Sequence, residues 1–235
     1  MANTYFQFKQ FRIEQDKAGM KVTTDGCLFG ALIQPVPTGT ILDVGTGTGL
    51  LSLMLAQKTS AQIEAIEIDE SVAEQASHNF RTSPWAGQLK VHTTSLQAFN
   101  PSRKFDQIVC NPPFFKGNAL GKSKVKNQAV HDHTLPMEIL LKRCNDLLHD
   151  QGSLWLMYPP YEMSLFKEMA LKVGFMEANS ISIKNTEGTS AIRVVTAFSK
   201  KKESVKKDSS IVIKKADQQY TPEFIELLKP FYLHL

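Results

Sequence analysis

Two short stretches combine polar side chains with glycine or proline in an order suited to binding and reaction: "DVGTGTG" at 43–49 and "CNPPF" at 110–114. In the second, a proline bars the residue before it from helical geometry, so Asn111 is held extended. Pro112 has no N–H and presents only its carbonyl. The asparagine oxygen and that carbonyl form two acceptors in one rigid turn, and an exocyclic amine or amide NH2 is the donor pair that matches them. In adenine the N6 lone pair is delocalised into the ring. Two acceptors that hold its protons favour a more pyramidal and more nucleophilic amine as a methyl group approaches. A strong general base is not required, because the proton can leave after transfer. Phe114 offers a ring on which a flipped base can stack.

In the first stretch, Gly45, Gly47 and Gly49 follow a strand pattern and open a helix pattern, so backbone there can approach a ligand closely. A dinucleotide fingerprint would need glycine at 45, 47 and 50, but Leu50 takes the last place. Asp43 would repel a pyrophosphate, and it suits an ammonium group oriented through ordered water or the turn itself. Glu67 ends the next strand, twenty residues beyond Gly47, where such folds place the acid that accepts from ribose hydroxyls. An amino acid at the glycine turn plus a ribose at Glu67 describes S-adenosylmethionine, and Ile68 would pack on its adenine.

These groups need strand ends and loops to carry them, and the chain alternates strand-length apolar runs with helical patterns. Strands are predicted at 40–44, 63–68, 89–92, 105–110 and 152–157, with helices at 50–58, 70–80 and 136–148. Residues 180–183 and 191–198 are β-rich and joined by "KNTEGTS" without a helix, which reads as a hairpin. The expected fold is α/β: a doubly wound, mostly parallel seven-stranded sheet of Rossmann-like type with an antiparallel edge hairpin. Residues 211–235 hold a further short strand, "IVIKK", and a helix at 222–233, expected to dock on the same body. The chain reads as one domain over 1–235, made of an N-terminal segment 1–38, a core 39–199 and a basic extension 200–235.

A chain of 235 residues can bury one large core, and no apolar run is long enough to cross a bilayer. The polar start "MANTYFQFKQ" lacks the apolar centre of a signal peptide. Cys27, Cys110 and Cys144 are odd in number and far apart, as reduced thiols of a cytoplasmic protein would be. Cys110 alternates with Asn111 along its strand and is expected to point away from the site, into packing. The sequence His131-Asp132-His133 has no further ligand nearby and lies in a loop pattern, so no metal is expected. Lysines crowd after the asparagine motif, at Lys116, Lys122, Lys124 and Lys126, and again at Lys200, Lys201 and Lys202. Beside a base-binding pocket, the first run would hold the phosphates of a nucleic acid, with the second reaching further along it.

On these motifs the chain resembles class I S-adenosylmethionine-dependent methyltransferases of the "(D/N/S)PP(Y/F)" group. More narrowly, it is similar to the bacterial tRNA(Val) adenine-N6 methyltransferases, which act on adenosine 37 beside the anticodon. The narrower likeness lies in "FQFKQFRI" at 6–13, "MKVTTDG" at 20–26, "SPW" at 83–85 and the closing "YTPEFIELLKPFYLHL". The resemblance implies that Asp43, Gly45, Thr46 and Gly47 hold the methionine portion, Glu67 the ribose, and Asn111 with Pro112 the target amine. It places Thr24 and Asp25 over the cofactor. The position that often carries an aspartate against the cofactor adenine reads Ser95, a weaker acceptor. Arginines common in the loop after the motif are lysines here, which pair with phosphate without a bidentate fork. The implied partner is the anticodon arm of tRNA, and the protein is expected to be a monomer. The alternatives are N5-glutamine methylation of a protein, N6-adenine methylation of another RNA or of DNA, and a noncatalytic RNA-binding module.

Overall fold

A computed structural model describes residues 3–112, 135–201 and 207–235. The chain opens with an antiparallel ribbon, β1 (Tyr5–Gln7) and β2 (Arg12–Glu14), followed by α1 (Thr24–Leu32). Then β3 (Thr40–Val44), α2 (Leu50–Ala56), β4 (Gln62–Glu67), α3 (Glu70–Arg81) and β5 (Leu89–Thr93) alternate. β6 (Phe105–Cys110) delivers Asn111, and α4 (Met137–Leu147) runs straight into β7 (Leu148–Tyr158). Then come α5 (Pro160–Lys172), the hairpin β8 (Met176–Thr186) and β9 (Ala191–Ser199), β10 (Lys207–Lys214) and α6 (Pro222–Leu228).

The main sheet has the order β10-β8-β9-β7-β6-β3-β4-β5. Strands β3 to β7 run parallel, β9 is antiparallel to both of its neighbours, and β10 is parallel to β8. This is the doubly wound α/β sheet the pattern predicts, with one strand more than seven. The "IVIKK" run joins it as β10, so the hairpin β8–β9 lies inside the sheet and β10 forms the margin. The backbone groups of the eleven-residue β8 that would otherwise face solvent are paired by this addition.

Alternation along the central strands divides two cores. Ile41, Val109, Trp155 and Met157 face the side covered by α1, α2 and α6, where Leu28, Phe29, Leu53 and Phe224 pack. Leu42, Val44, Ile108, Leu154 and Leu156 face the other side, filled by Leu140, Leu141 and Cys144 of α4 and by Met163 and Phe166 of α5.

The ribbon β1–β2 and the helices α1 and α5 go beyond the sequence reading. Helix α1 buries five consecutive residues and so shows no periodic face; its start is set by the Thr23 hydroxyl, which accepts from the Gly26 N–H at 3.2 Å. A side chain at Gly30 would meet Met54 Sδ at 2.6 Å, so α1 and α2 approach closely only because that position is glycine. Helix α5 starts with Pro160 in its first turn, a place proline tolerates. The expected helix at 222–233 stops at Leu228: Pro230 has no N–H with which to continue the ladder, the Phe231 N–H tightens the turn onto the Leu228 carbonyl, and Tyr232 leaves to pair with Phe8.

Candidate active site

The chain moves outward from β3 through β4 to β5 in one direction and from β6 through β7 in the other, which makes the β3–β6 boundary a topological switch point. Open α/β sheets bind ligands in the crevice such a point creates at their carboxyl ends. Val44 stands opposite Cys110 on one side and Ile66 on the other, so Gly45, Asn111 and Glu67 leave the sheet at one level.

The glycine turn is left-handed at three points, with φ of 69° at Gly45, 57° at Gly47 and 86° at Gly49. A Cβ on Gly45 or Gly47 would meet nothing within 4 Å among the described residues, whereas one on Gly49 would sit 2.4 Å from Phe80 Cε1. The first two glycines therefore border open space and the third is required by packing. The N–H groups of Gly45 and Thr46 both donate to the Ile66 carbonyl at 3.0 Å, which ties the turn to β4.

Asp43 lies beneath this turn, fully buried, and lines neither lobe of the cleft described below. Its Oδ2 accepts from the Thr46 hydroxyl at 2.6 Å and from the Ser52 hydroxyl at 2.7 Å, while Oδ1 is buried without a partner among the described residues. Burial pushes its pKa up to about 6, against the downward pull of the two hydroxyls.

Glu67 is held from three directions. Its Oε2 accepts from the Gly47 N–H at 3.0 Å, and its Oε1 accepts from the N–H groups of Ile68 and Asp69 at 2.8 and 3.1 Å. Asp69 caps α3: its Oδ1 accepts from the N–H groups of Ser71 and Val72, and the Ser71 hydroxyl first, then Val72, keep its carboxyl below the ordinary value.

The cleft has two lobes that meet at Gly45, Glu67 and Asn111. One, of about 440 Å³, is walled by Ile68, Asp69, Ser95, Gln97 and Pro112 among others. The second, of about 260 Å³, lies between the glycine turn and the strap formed by residues 18–22. Glu67 and Asp69 make the first lobe acidic, which disfavours a phosphate there. At the junction, Asn111 Oδ1 is buried with no hydrogen-bond partner among the described residues, an acceptor with a desolvation cost that a ligand donor would relieve.

The sequence-predicted residues are distributed unevenly. Gly45, Thr46, Gly47, Glu67, Ile68, Ser95, Asn111 and Pro112 line the cleft; Ile68 is 71% exposed, and the Ser95 hydroxyl oxygen accepts from the Ala98 N–H at 3.2 Å. Thr24 and Asp25 line neither lobe, because Thr23 and Gly26 take that wall and Asp25 turns to Arg193 of β9, with Nε to Oδ2 at 2.9 Å. Lys200 and Lys201 follow β9, whose last residue Ser199 pairs with Ser153 of β7, itself in register with Gln107 near the start of β6, so they lie at the amino edge of the central strands, opposite the cleft. Lys200 is occupied there, 3.3 Å from the Asn145 carbonyl and 3.8 Å from Asp150. Cys110 borders the first lobe but is buried, and burial raises its thiol well above its usual pKa. Phe114, Lys116, Lys122, Lys124, Lys126, His131, His133 and Lys202 lie outside the described residues.

Sequence reasoning missed Ser52, Asp69, Thr94, Gln97 and Leu135. Ser52 had a signal, as the one hydroxyl in "LLSLMLA"; Asp69 had another, as an acid before a helix pattern with Ser71 two places on. Among the described residues, no group of three or more His, Cys, Asp or Glu side chains could hold a metal ion, and no helix is long and apolar enough to cross a membrane.

Residues 26–185 match the methyltransferase small domain family. A protein of Cytophaga hutchinsonii named tRNA1(Val) (adenine(37)-N6)-methyltransferase is 42% identical over 100% of both chains. A Flavobacterium psychrophilum protein of the same name is 40% identical over 98% of this chain and 100% of its own. In fold, the chain is similar to the crystal structure of a predicted O-methyltransferase from Agrobacterium tumefaciens, with a TM-score of 0.67 at 16% identity, covering 87% of this chain and 95% of that one. The glycine turn, the acid at the next strand end and the asparagine after β6 thus belong to a member of the methyltransferase small domain family.

Proposed function

We propose that the protein transfers a methyl group from S-adenosylmethionine to N6 of an adenosine in tRNA, at adenosine 37 beside the anticodon of tRNA1(Val). The observation that carries this reading is Asn111 Oδ1, unpartnered among the described residues and buried where the two lobes meet. Full-length similarity to relatives bearing that name supports the choice of an RNA base over a protein amide.

The cleft fits the cofactor. Open space over Gly45 and Gly47 leaves room for the methionine end against the turn, and Glu67 faces the ribose with lone pairs its three backbone donors leave free. Ile68 and Ser95 border the adenine, and Asp43 acts on the ammonium through the turn. Bound S-adenosylmethionine supplies an electrophilic methyl group. Asn111 Oδ1 and the Pro112 carbonyl accept the two N6 protons and orient the lone pair toward the lobe junction. The excess proton leaves once the nitrogen is fully substituted and acidic. Phe114 stacks on the flipped base, and Lys116, Lys122, Lys124 and Lys126 hold the phosphates of the anticodon arm. The amino-edge position of Lys200 and Lys201 keeps those two out of the pocket mouth. The protein acts in the cytoplasm as a monomer. The test is mass spectrometry of nucleosides from unmodified tRNA after incubation with the protein and labelled cofactor: label in N6-methyladenosine at position 37 is expected, and label in protein or in no nucleoside refutes the assignment.

A further inference from the structure

Ser52 is fully buried in a helix otherwise made of leucine, methionine and alanine. A hydroxyl in such surroundings is costly without a partner. Its partner is nine residues back: Ser52 Oγ donates to Asp43 Oδ2 at 2.7 Å, and Thr46 Oγ1 donates to the same oxygen at 2.6 Å. The carboxylate bridges the glycine turn and the first turn of α2. Asp43 Oδ1 has no partner among the described residues, so a proton placed there would find no acceptor among them. Among charged groups, Glu67 opposes the ionisation of Asp43; the neighbouring Cys110 thiol is raised first by its own burial, then by Cys144, and last by Asp43.

We infer that Ser52 is a positioning residue for the cofactor site: together with Thr46 it clamps one carboxylate oxygen of Asp43, keeping that buried group ionised beneath the turn that receives the ammonium end of S-adenosylmethionine. This inference rests on the cofactor assignment above. Burial holds Asp43 at about 6 while both hydroxyls oppose the rise. Losing one donor destabilises the ionised form, moves the titration upward and removes the charge nearer neutral pH. Cofactor affinity falls as the pH drops through that midpoint, so a higher midpoint weakens binding first on the acid side.

The experiment follows the Asp43 carboxyl by 13C NMR in cofactor-free protein and S-adenosylmethionine binding by calorimetry, from about pH 5 to about pH 8. The proteins are the parent, Ser52→Ala, Ser52→Thr and Thr46→Val. Ser52→Ala is expected to raise the Asp43 midpoint by about one pH unit, with about threefold weaker binding between the two midpoints, approaching about tenfold below both, and little change in alkali. Ser52→Thr, which keeps the hydroxyl, restores the midpoint toward the parent value, and Thr46→Val moves it as Ser52→Ala does. An unmoved Asp43 titration in Ser52→Ala overturns the inference, as does an affinity loss that is equal at every pH. Should Ser52→Ala fail to fold, Thr46→Val against the parent decides on the same two readouts. A parent that binds no S-adenosylmethionine overturns the cofactor assignment instead, and the carboxyl titration still decides the clamp.

Discussion

The Gly47 N–H donates to Glu67 Oε2 at 3.0 Å, joining the glycine turn after β3 to the acid that ends β4. One carboxylate thus fixes the turn and also lines both lobes of the cleft. Glu67→Ala removes the acceptor proposed for the ribose and the anchor for Gly47 together. The expected loss is at least about 1.5–3 kcal/mol of cofactor binding, the range for one hydrogen bond to a charged group, read by calorimetry. Unchanged affinity would remove Glu67 from the cofactor site.

Asn111→Ala should separate binding from chemistry. Its Oδ1 makes no hydrogen bond among the described residues, so truncation breaks nothing there that shapes the lobes. Methyl transfer to tRNA is expected to be abolished while S-adenosylmethionine affinity stays within a few fold. An inactive variant that had also lost the cofactor would contradict this division of roles.

Alanine at Gly49 and at Gly45 tests packing against ligand space. Both positions have positive φ, but only at Gly49 would the added carbon strike Phe80, at 2.4 Å. Gly49→Ala should cost about 2–3 kcal/mol, lowering the melting temperature by about 5–10 °C. Gly45→Ala carries the milder backbone strain alone, and its larger effect should be on cofactor affinity. Equal melting temperatures for the two variants would show that Phe80 yields freely.

Replacing Lys116, Lys122, Lys124 and Lys126 with glutamine should weaken tRNA binding and flatten its salt dependence. For every phosphate left without its lysine, the slope of log affinity against log salt falls by about 0.7–0.9. Cofactor binding should not change. A variant that responds to salt as the parent does would leave these lysines without a part in RNA binding.

The chemical groups of the site, and the strand ends that carry them, are legible in the order of residues alone. Glycines that allow a left-handed turn, an acid twenty residues on and an asparagine locked before proline act through local geometry, which neighbouring residues dictate. The alternating pattern likewise implies a doubly wound sheet, because burial on both faces forces apolar strands and amphipathic helices. Which side chains meet across long separations is a matter of tertiary packing. Asp25 spends its charge on Arg193, 168 residues away, instead of facing the cleft. Lys200 falls at the far edge of the sheet because β9 runs antiparallel to β7. Ser52, unremarkable in its helix, reaches Asp43 because the glycine turn folds α2 back over the end of β3. Such pairings depend on strand order and on the packing of whole elements, and no local pattern in the chain encodes them.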